Sequence, residues 1–485
     1  MTVLVFPAAA RDLRDMSTRH SWLTLAVLCV TLFVGAVDFT VLNLALPAIE
    51  ADLVVTPSTR GWILDSYPMT VAALLLTVGA LADRVDRKRL WLSGLVLFGL
   101  SSLLAVFAGS AALLVAARFG QGIGEALLLA STVAILRASF PDPAKRGTAV
   151  GLWTASSSLG AACGPVLGGV LIEQFGWRSA FLINVPIVAL AAVFGAVLII
   201  RVPPAAHRSW DVPGSLLSIG VLGLLLYTLN HVTANRWPLT AALLLIVLLG
   251  IAAFLVRQRK ARVPLVRLQV FASGAFGASM LFIVLSFGSY LAFLLLVAQQ
   301  WQRGGMDPQT AGFGLVPAAL ANALGSALAP LLVRRWGQRT VTGFALALLV
   351  CGLLLFGLAG AAGNYPALVL LGFGAGTVMS VCTDTVLGHA ELARSGEIGA
   401  LQETVFNLGS AVWLAAASAL LTRPFTGTAY AAAVLVAVLA GGGFLLWRGS
   451  RWRAVQRRRS CSQATSLASA SSSRSPNSCS ARRSR

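Results

Sequence analysis

The stretch Leu239–Val256 reads L-T-A-A-L-L-L-I-V-L-L-G-I-A-A-F-L-V, eighteen residues without a charge. As a helix it would be about 27 Å long, close to the hydrocarbon thickness of a bilayer. Arg257, Arg259 and Lys260 follow at once. Runs of the same kind recur in both directions along the chain. Spans are expected at 22–45, 61–81, 90–108, 112–136, 148–172, 179–200, 213–231, 239–256, 275–297, 310–332, 340–359, 366–388, 399–421 and 428–447. Composition agrees. The 485 residues are 57% hydrophobic and 11% charged, whereas a soluble domain carries roughly 25% charged residues. So much apolar surface has lipid as its solvent, and the expected fold class is an all-α integral membrane protein of about fourteen transmembrane helices.

The charges give an orientation. Of the 37 Lys and Arg, 31 lie in the N-terminus, in the loops after even-numbered spans and in the tail. Five lie in the loops after odd-numbered spans, and Arg118 falls inside the fourth span. This is the positive-inside asymmetry. It places both termini in the cytoplasm and makes the net charge of +20 a matter of topology rather than nucleic-acid binding. Met1–His20 is polar and the first apolar run is long, so no cleavable signal peptide is expected. The cysteines and the four scattered histidines form no disulfide framework or metal site; no metal and no cofactor is expected.

A weak echo divides the chain. Gly79–Lys88 (G-A-L-A-D-R-V-D-R-K) and Pro330–Arg339 (P-L-L-V-R-R-W-G-Q-R) both follow a second span of six. The expected organisation is a cytoplasmic N-terminus (1–21), a six-span bundle (22–200), two additional central spans linking the halves (201–262), a second, pseudo-symmetric six-span bundle (263–447) and a disordered basic cytoplasmic tail (448–485). Repeats of this kind place a substrate site at their interface.

Three local patterns carry chemistry. The link between spans 2 and 3 holds Gly79, Asp83, Arg84, Arg87 and Lys88, where an acid could grip a neighbouring helix end or an Arg. Span 4 reads A-R-F-G-Q-G-I-G-E, with Arg118, Gly122, Gly124 and Glu125. A guanidinium inside lipid needs a partner, and Asp38 in span 1 is the acid available in the same half. Span 5 carries G-x-x-x-G-P-x-x-G-G at Gly160, Gly164, Pro165, Gly168 and Gly169, small residues for close packing and a proline that removes a backbone bond.

Together these patterns resemble the major facilitator superfamily, and within it the fourteen-span drug:proton antiporter branch of multidrug efflux type. The resemblance covers spans 1 to 14. D-F-T-V-L-N-L-A-L-P (Asp38–Pro47) and W-I-L-D-S-Y (Trp62–Tyr67) add to it. Asp86 stands where the family's link has a second glycine, and Glu125 where it usually has a small residue. The resemblance implies a cytoplasmic latch at Gly79, Asp83, Arg84, Arg87 and Lys88, and an antiporter motif at the span 5 glycines and Pro165. It also implies proton-coupled export of amphipathic, cationic small molecules by alternating access.

Acids within spans are functional suspects. Asp38 and Glu125, with Arg118, are assigned to proton coupling. Asp65, Tyr290, Asn322, Asp384 and Glu403 are candidates for the substrate cavity, with Ser286, Phe282, Phe287 and Phe293 beside them. A helix-end role is equally open for Asp384 and Glu403. The expected location is the inner (cytoplasmic) membrane, the expected partners are a small-molecule substrate, protons and lipid, and the expected unit is a monomer. A dedicated exporter of a single metabolite or antibiotic is the alternative; an importer or a membrane sensor is less favoured. No nucleophile–base pair, metal cluster or G-x-x-x-x-G-K-[ST] string points to an enzyme or an ATP-driven pump.

Overall fold

A computed structural model describes residues 18–201, 211–230, 237–261, 264–266, 274–306, 308–359, 364–389, 395–421 and 442. The expected last span (428–447), the tail (448–485) and most of the N-terminus lie outside these. Every described element is a helix. They are α1 (Thr18–Leu53), α2 (Pro57–Ala82), α3 (Arg87–Val106), α4 (Ala111–Ser139), α5 (Pro143–Phe175), α6 (Ser179–Leu182), α7 (Asn184–Leu198), α8 (Val212–Asn230), α9 (Trp237–Lys260), α10 (Gly274–Arg303), α11 (Pro308–Gly314), α12 (Val316–Trp336), α13 (Gln338–Ala359), α14 (Asn364–His389) and α15 (Ser395–Leu421).

The ends follow local chemistry. Thr56, Asp86, Ser110 and Asp142 cap α2, α3, α4 and α5 by accepting from backbone N–H groups of the first turn. Asp86, in place of the family's glycine, therefore starts a helix without strain; its φ is −60°. Gly337, at φ +80°, supplies the left-handed residue between α12 and α13. The expected span 179–200 is split into α6 and α7, because Pro186 has no N–H to give the carbonyl of Leu182. Helix α5 bends by 42° between Gly164 and Val166, again at a proline.

Ten of the described helical segments are long and apolar enough to cross a membrane, and eleven with bent α5 as one. Two expected spans are not among them. Helix α8 is a shorter apolar helix, and α15 carries Glu397, Gln402, Glu403 and Asn407.

Helices α1 to α7 pack on one another: α1 on α5 and α7, α2 on α4, and α3 on α4 and α7. Their core includes Leu28, Leu75, Trp91, Leu95, Phe98 and Leu136, each at most 2% exposed. Helices α10 and α12 to α15 form a second group, with α14 against α10, α12 and α13 and a core around Phe293, Leu349, Leu353 and Leu371. The groups meet where α5 packs on α12 and α14, and where α2 and α4 pack on α15. Helix α8 lies on α2 and α15 at this seam, and α9 lies on α8. The two additional helices are therefore lateral to the seam, and α9 has a mostly exposed apolar surface that suits lipid.

Candidate functional site

The Arg-bearing links gather at one end of the helices, called the basic end here. His20 Nε2 bonds to the Leu198 carbonyl at 2.6 Å, and Lys88 Nζ donates to the Ala196 carbonyl at 2.6 Å. At the opposite, outer end Arg178 Nη1 donates to Asp52 Oδ2 at 2.7 Å and the Trp177 indole N–H does so at 3.1 Å. These two donors hold the Asp52 carboxyl below the ordinary carboxylate range.

Deep in the first group, Arg118 and Asp38 meet as the sequence leads one to expect. Arg118 Nη1 donates to Asp38 Oδ2 at 2.5 Å and to Gln121 Oε1 at 2.9 Å. Asp38 Oδ1 also accepts from Gln121 Nε2 at 3.2 Å and from Asn184 Nδ2 at 2.6 Å. Gln121 donates in turn to Ser102, and the guanidinium lies 4.4 Å over the Tyr67 ring. Arg118 is fully buried and Asp38 is 3% exposed. A buried ion pair is tolerated when its remaining lone pairs and protons are satisfied, and here three donors converge on one carboxylate. Sequence reading missed Ser102, Gln121, Asn184 and Tyr67. A buried amide in an apolar run was the available signal, and Asn184 beside the α6–α7 break is its clearest instance.

Glu125 sits two turns along α4 from Arg118, also against α1. A Cβ added to Gly35 would come within 2.8 Å of its Oε1. Glu125 lines a water-sized cavity with Thr31, Val34, Leu95, Phe98 and Val188. Among the described residues no side chain hydrogen-bonds to its carboxylate. Glu403, on α15 across the seam, is 7% exposed and near enough for its charge to reach Glu125.

The span 5 glycines face α1 and not an open cavity. A Cβ at Gly160 would meet the Phe33 carbonyl and the Ala36 methyl, one at Gly164 the Thr40 hydroxyl, and one at Gly168 the Val41 methyls. Gly169 is half-buried beside them. Pro165 falls at the bend.

The other candidates divide between the seam and the second group's core. Asn322 on α12 accepts a hydrogen bond from Ser158 on α5, which joins the two groups at depth. Asp65 is half-buried near the outer end of α2. Tyr290 is 4% exposed and packs against Phe287, whose ring lies 4.5 Å from Phe406. Phe293 does not face the seam: it is fully buried edge-on to Phe356. Asp384 lies at the basic end, where its Oδ1 accepts from Arg146 Nε at 3.1 Å.

That pair is one of three polar ties across the seam at the basic end. Arg334 Nη2 donates to the Ala144 carbonyl at 2.5 Å and to Thr148 at 3.0 Å. Asp83 accepts from Arg87 Nη2 at 3.0 Å through one oxygen and from the Glu397 backbone N–H at 3.1 Å through the other. The α2–α3 link thus grips the first turn of α15, and the end of α12 grips the first turn of α5. The echo between Gly79–Lys88 and Pro330–Arg339 becomes a reciprocal contact. Arg84 turns back to the Ala80 carbonyl, and Gly79 is buried within α2.

Comparison with known proteins agrees with this arrangement. The profile of the Major Facilitator Superfamily matches residues 28–414. The chain is 31% identical over 419 residues to the methyl viologen resistance protein SmvA of Salmonella typhimurium, covering 84% of each. It is 32% identical over 411 residues to the multidrug efflux pump LfrA of Mycolicibacterium smegmatis, covering 83% of this chain and 81% of the pump. Among solved structures, the human organic anion transporter MFSD10 matches with a TM-score of 0.66 at 17% identity, over 88% of this chain and 99% of that one. The chain belongs to the major facilitator superfamily, a family of transporters that carry small molecules through membranes.

Proposed function

We propose that the protein is a proton-coupled antiporter that exports amphipathic, cationic small molecules by alternating access. The observation that carries this reading is the buried acid set on either side of the seam. Asp38 is held by Arg118, Gln121 and Asn184, while Glu125 and Glu403 are buried without a side-chain hydrogen bond among the described residues. An isolated carboxylate at membrane depth is costly in its charged form, so such groups take up and release protons as the halves rock. A lipophilic cation competes for the same negative charge. The matched relatives, a methyl viologen resistance protein and a multidrug efflux pump, support this substrate class.

The reading includes fourteen spans, as two pseudo-symmetric six-helix bundles with α8 and α9 added between them in sequence. It includes an inner-membrane location, both termini in the cytoplasm and a monomer as the working unit. The basic end is then cytoplasmic, and its three ties describe a form closed toward the cytoplasm. Reporter fusions after Arg208 and after Arg262 test the topology: both should report cytoplasm, and an external signal from either overturns the count.

The decisive experiment is uptake of ethidium into inside-out vesicles. Uptake should follow an imposed proton gradient, stop when an uncoupler collapses it, and need no ATP. Uptake driven by ATP without a gradient would refute the proposal.

A further inference from the structure

Three aromatic rings from three helices meet at the outer end of the seam. Trp62 on α2 stacks on Tyr227 of α8 with ring centroids 6.0 Å apart and planes 26° from parallel. Phe119 on α4 lies 6.1 Å from Trp62 at 38°. Phe119 is 39% exposed, and Ile123, one turn inward on the same face, is 38% exposed. Asp65 follows Trp62 by three residues, on the same face of α2, and is half-buried. The contact between α2 and α8 is built rather than incidental: Met69, Ala72 and Leu226 are buried together beneath the rings. Nearby Arg60 is engaged by Glu50 at 3.3 Å.

We propose that Trp62, Phe119 and Tyr227, with Asp65 one turn inward, form an outer binding site for the head of a lipophilic quaternary or charge-delocalised cation. Ring faces carry negative quadrupole density and attract cations within about 6 Å. They suit weakly hydrated, bulky cations, because a small ion loses more hydration than the rings return. The carboxylate adds charge without a cationic side chain opposing it. An aromatic belt at the lipid headgroups is the competing account. It gives no reason for a half-buried acid one turn inward, or for a ring on α4, which packs on α2 and α15 at the seam. The inference makes α8, one of the two additional helices, part of the exit path, since it contributes Tyr227. It rests on the proposed export of cations.

The test uses the purified full-length protein in detergent and tetraphenylphosphonium as probe. Equilibrium binding is measured beside the melting temperature, and ethidium transport is measured separately in vesicles. Tyr227→Phe keeps the ring and should bind within about twofold of the unmodified protein. Tyr227→Leu and Phe119→Leu should each weaken binding roughly fivefold, of the order of one lost cation–ring contact. Asp65→Asn should weaken it and flatten its dependence on salt. Phe119 is exposed enough that its replacement leaves folding intact, so the test survives a Tyr227→Leu protein that does not fold. Phe119→Leu and every folded Tyr227→Leu protein binding as tightly as the parent overturns the site, whatever happens to the melting temperature. A parent protein that exports ethidium but does not bind the probe also overturns the site alone. A parent that exports no cation overturns the proposed function as well.

Discussion

Arg146 and Asp384 lie 238 positions apart and meet at 3.1 Å across the seam between the two helix groups. Their side chains are 11% and 34% exposed, so the pair is partly screened and contributes about 1 kcal/mol or less. Even so small a term shifts a two-state equilibrium severalfold. Asp384→Asn should therefore loosen the basic end. Spin labels at exposed Lys145 and Arg335 should report longer distances, and the double exchange Arg146→Asp with Asp384→Arg should restore part of the change. An unchanged distance distribution would remove this pair from the closure.

The Asp38–Arg118 network predicts two separable losses. Removing one partner of a buried ion pair costs on the order of 3–5 kcal/mol, so Arg118→Ala should lower the melting temperature sharply. Arg118→Lys retains the charge but not the planar fork. A single ammonium cannot reproduce the bonds to both Asp38 and Gln121, and transport should fall at least tenfold. Asp38→Asn cannot alternate between proton-bound and charged forms and should abolish proton-driven ethidium uptake. Three donors converge on that carboxylate, so some stability should go with it. Normal uptake with an unchanged pH profile would make Asp38 purely structural.

Gly35 and Glu125 form a coupled pair of another kind. A methyl at position 35 would press on the carboxylate from 2.8 Å. Gly35→Ala should shift the pH dependence of ethidium uptake in the protein with Glu125. In a Glu125→Ala background, where the obstacle is gone, the same change should have little effect. Contacting sites are expected to be non-additive in this way. Additive effects of the two changes would show that Gly35 does not position Glu125.

The α1–α5 contact predicts a contrast between two glycines of one motif. Overpacking a close contact costs roughly 1–3 kcal/mol. Gly164→Ala meets the Thr40 side chain, so adding Thr40→Ala should recover most of the melting temperature. Gly160→Ala meets the Phe33 backbone carbonyl, and no side-chain replacement should recover it. Equal rescue at both positions would mean that α1 shifts as a body.

The sequence by itself determined that this chain lies in a membrane, most of where its helices run, and which end is basic. Leu239–Val256 cannot be anything but a buried or lipid-facing helix, and the Lys and Arg counts alternate without reference to any contact. It also pointed to the Asp38–Arg118 pair, because a guanidinium in an apolar run has to find a counter-charge and span 1 offered one. These properties are local, or sum along the chain. Tertiary structure alone decided the rest. Asn184 reaches Asp38 over 146 positions, Glu397 offers its N–H to Asp83 over 314, and Tyr227 comes to lie on Trp62. Asp384, read from sequence as a cavity candidate, is at the basic end, and Phe293 is in the core. The physical reason is rotational: hydropathy says that a helix crosses the bilayer but not which way it turns about its axis. In these spans small and polar residues set that rotation by close packing between helices, and the turn decides which side chains meet.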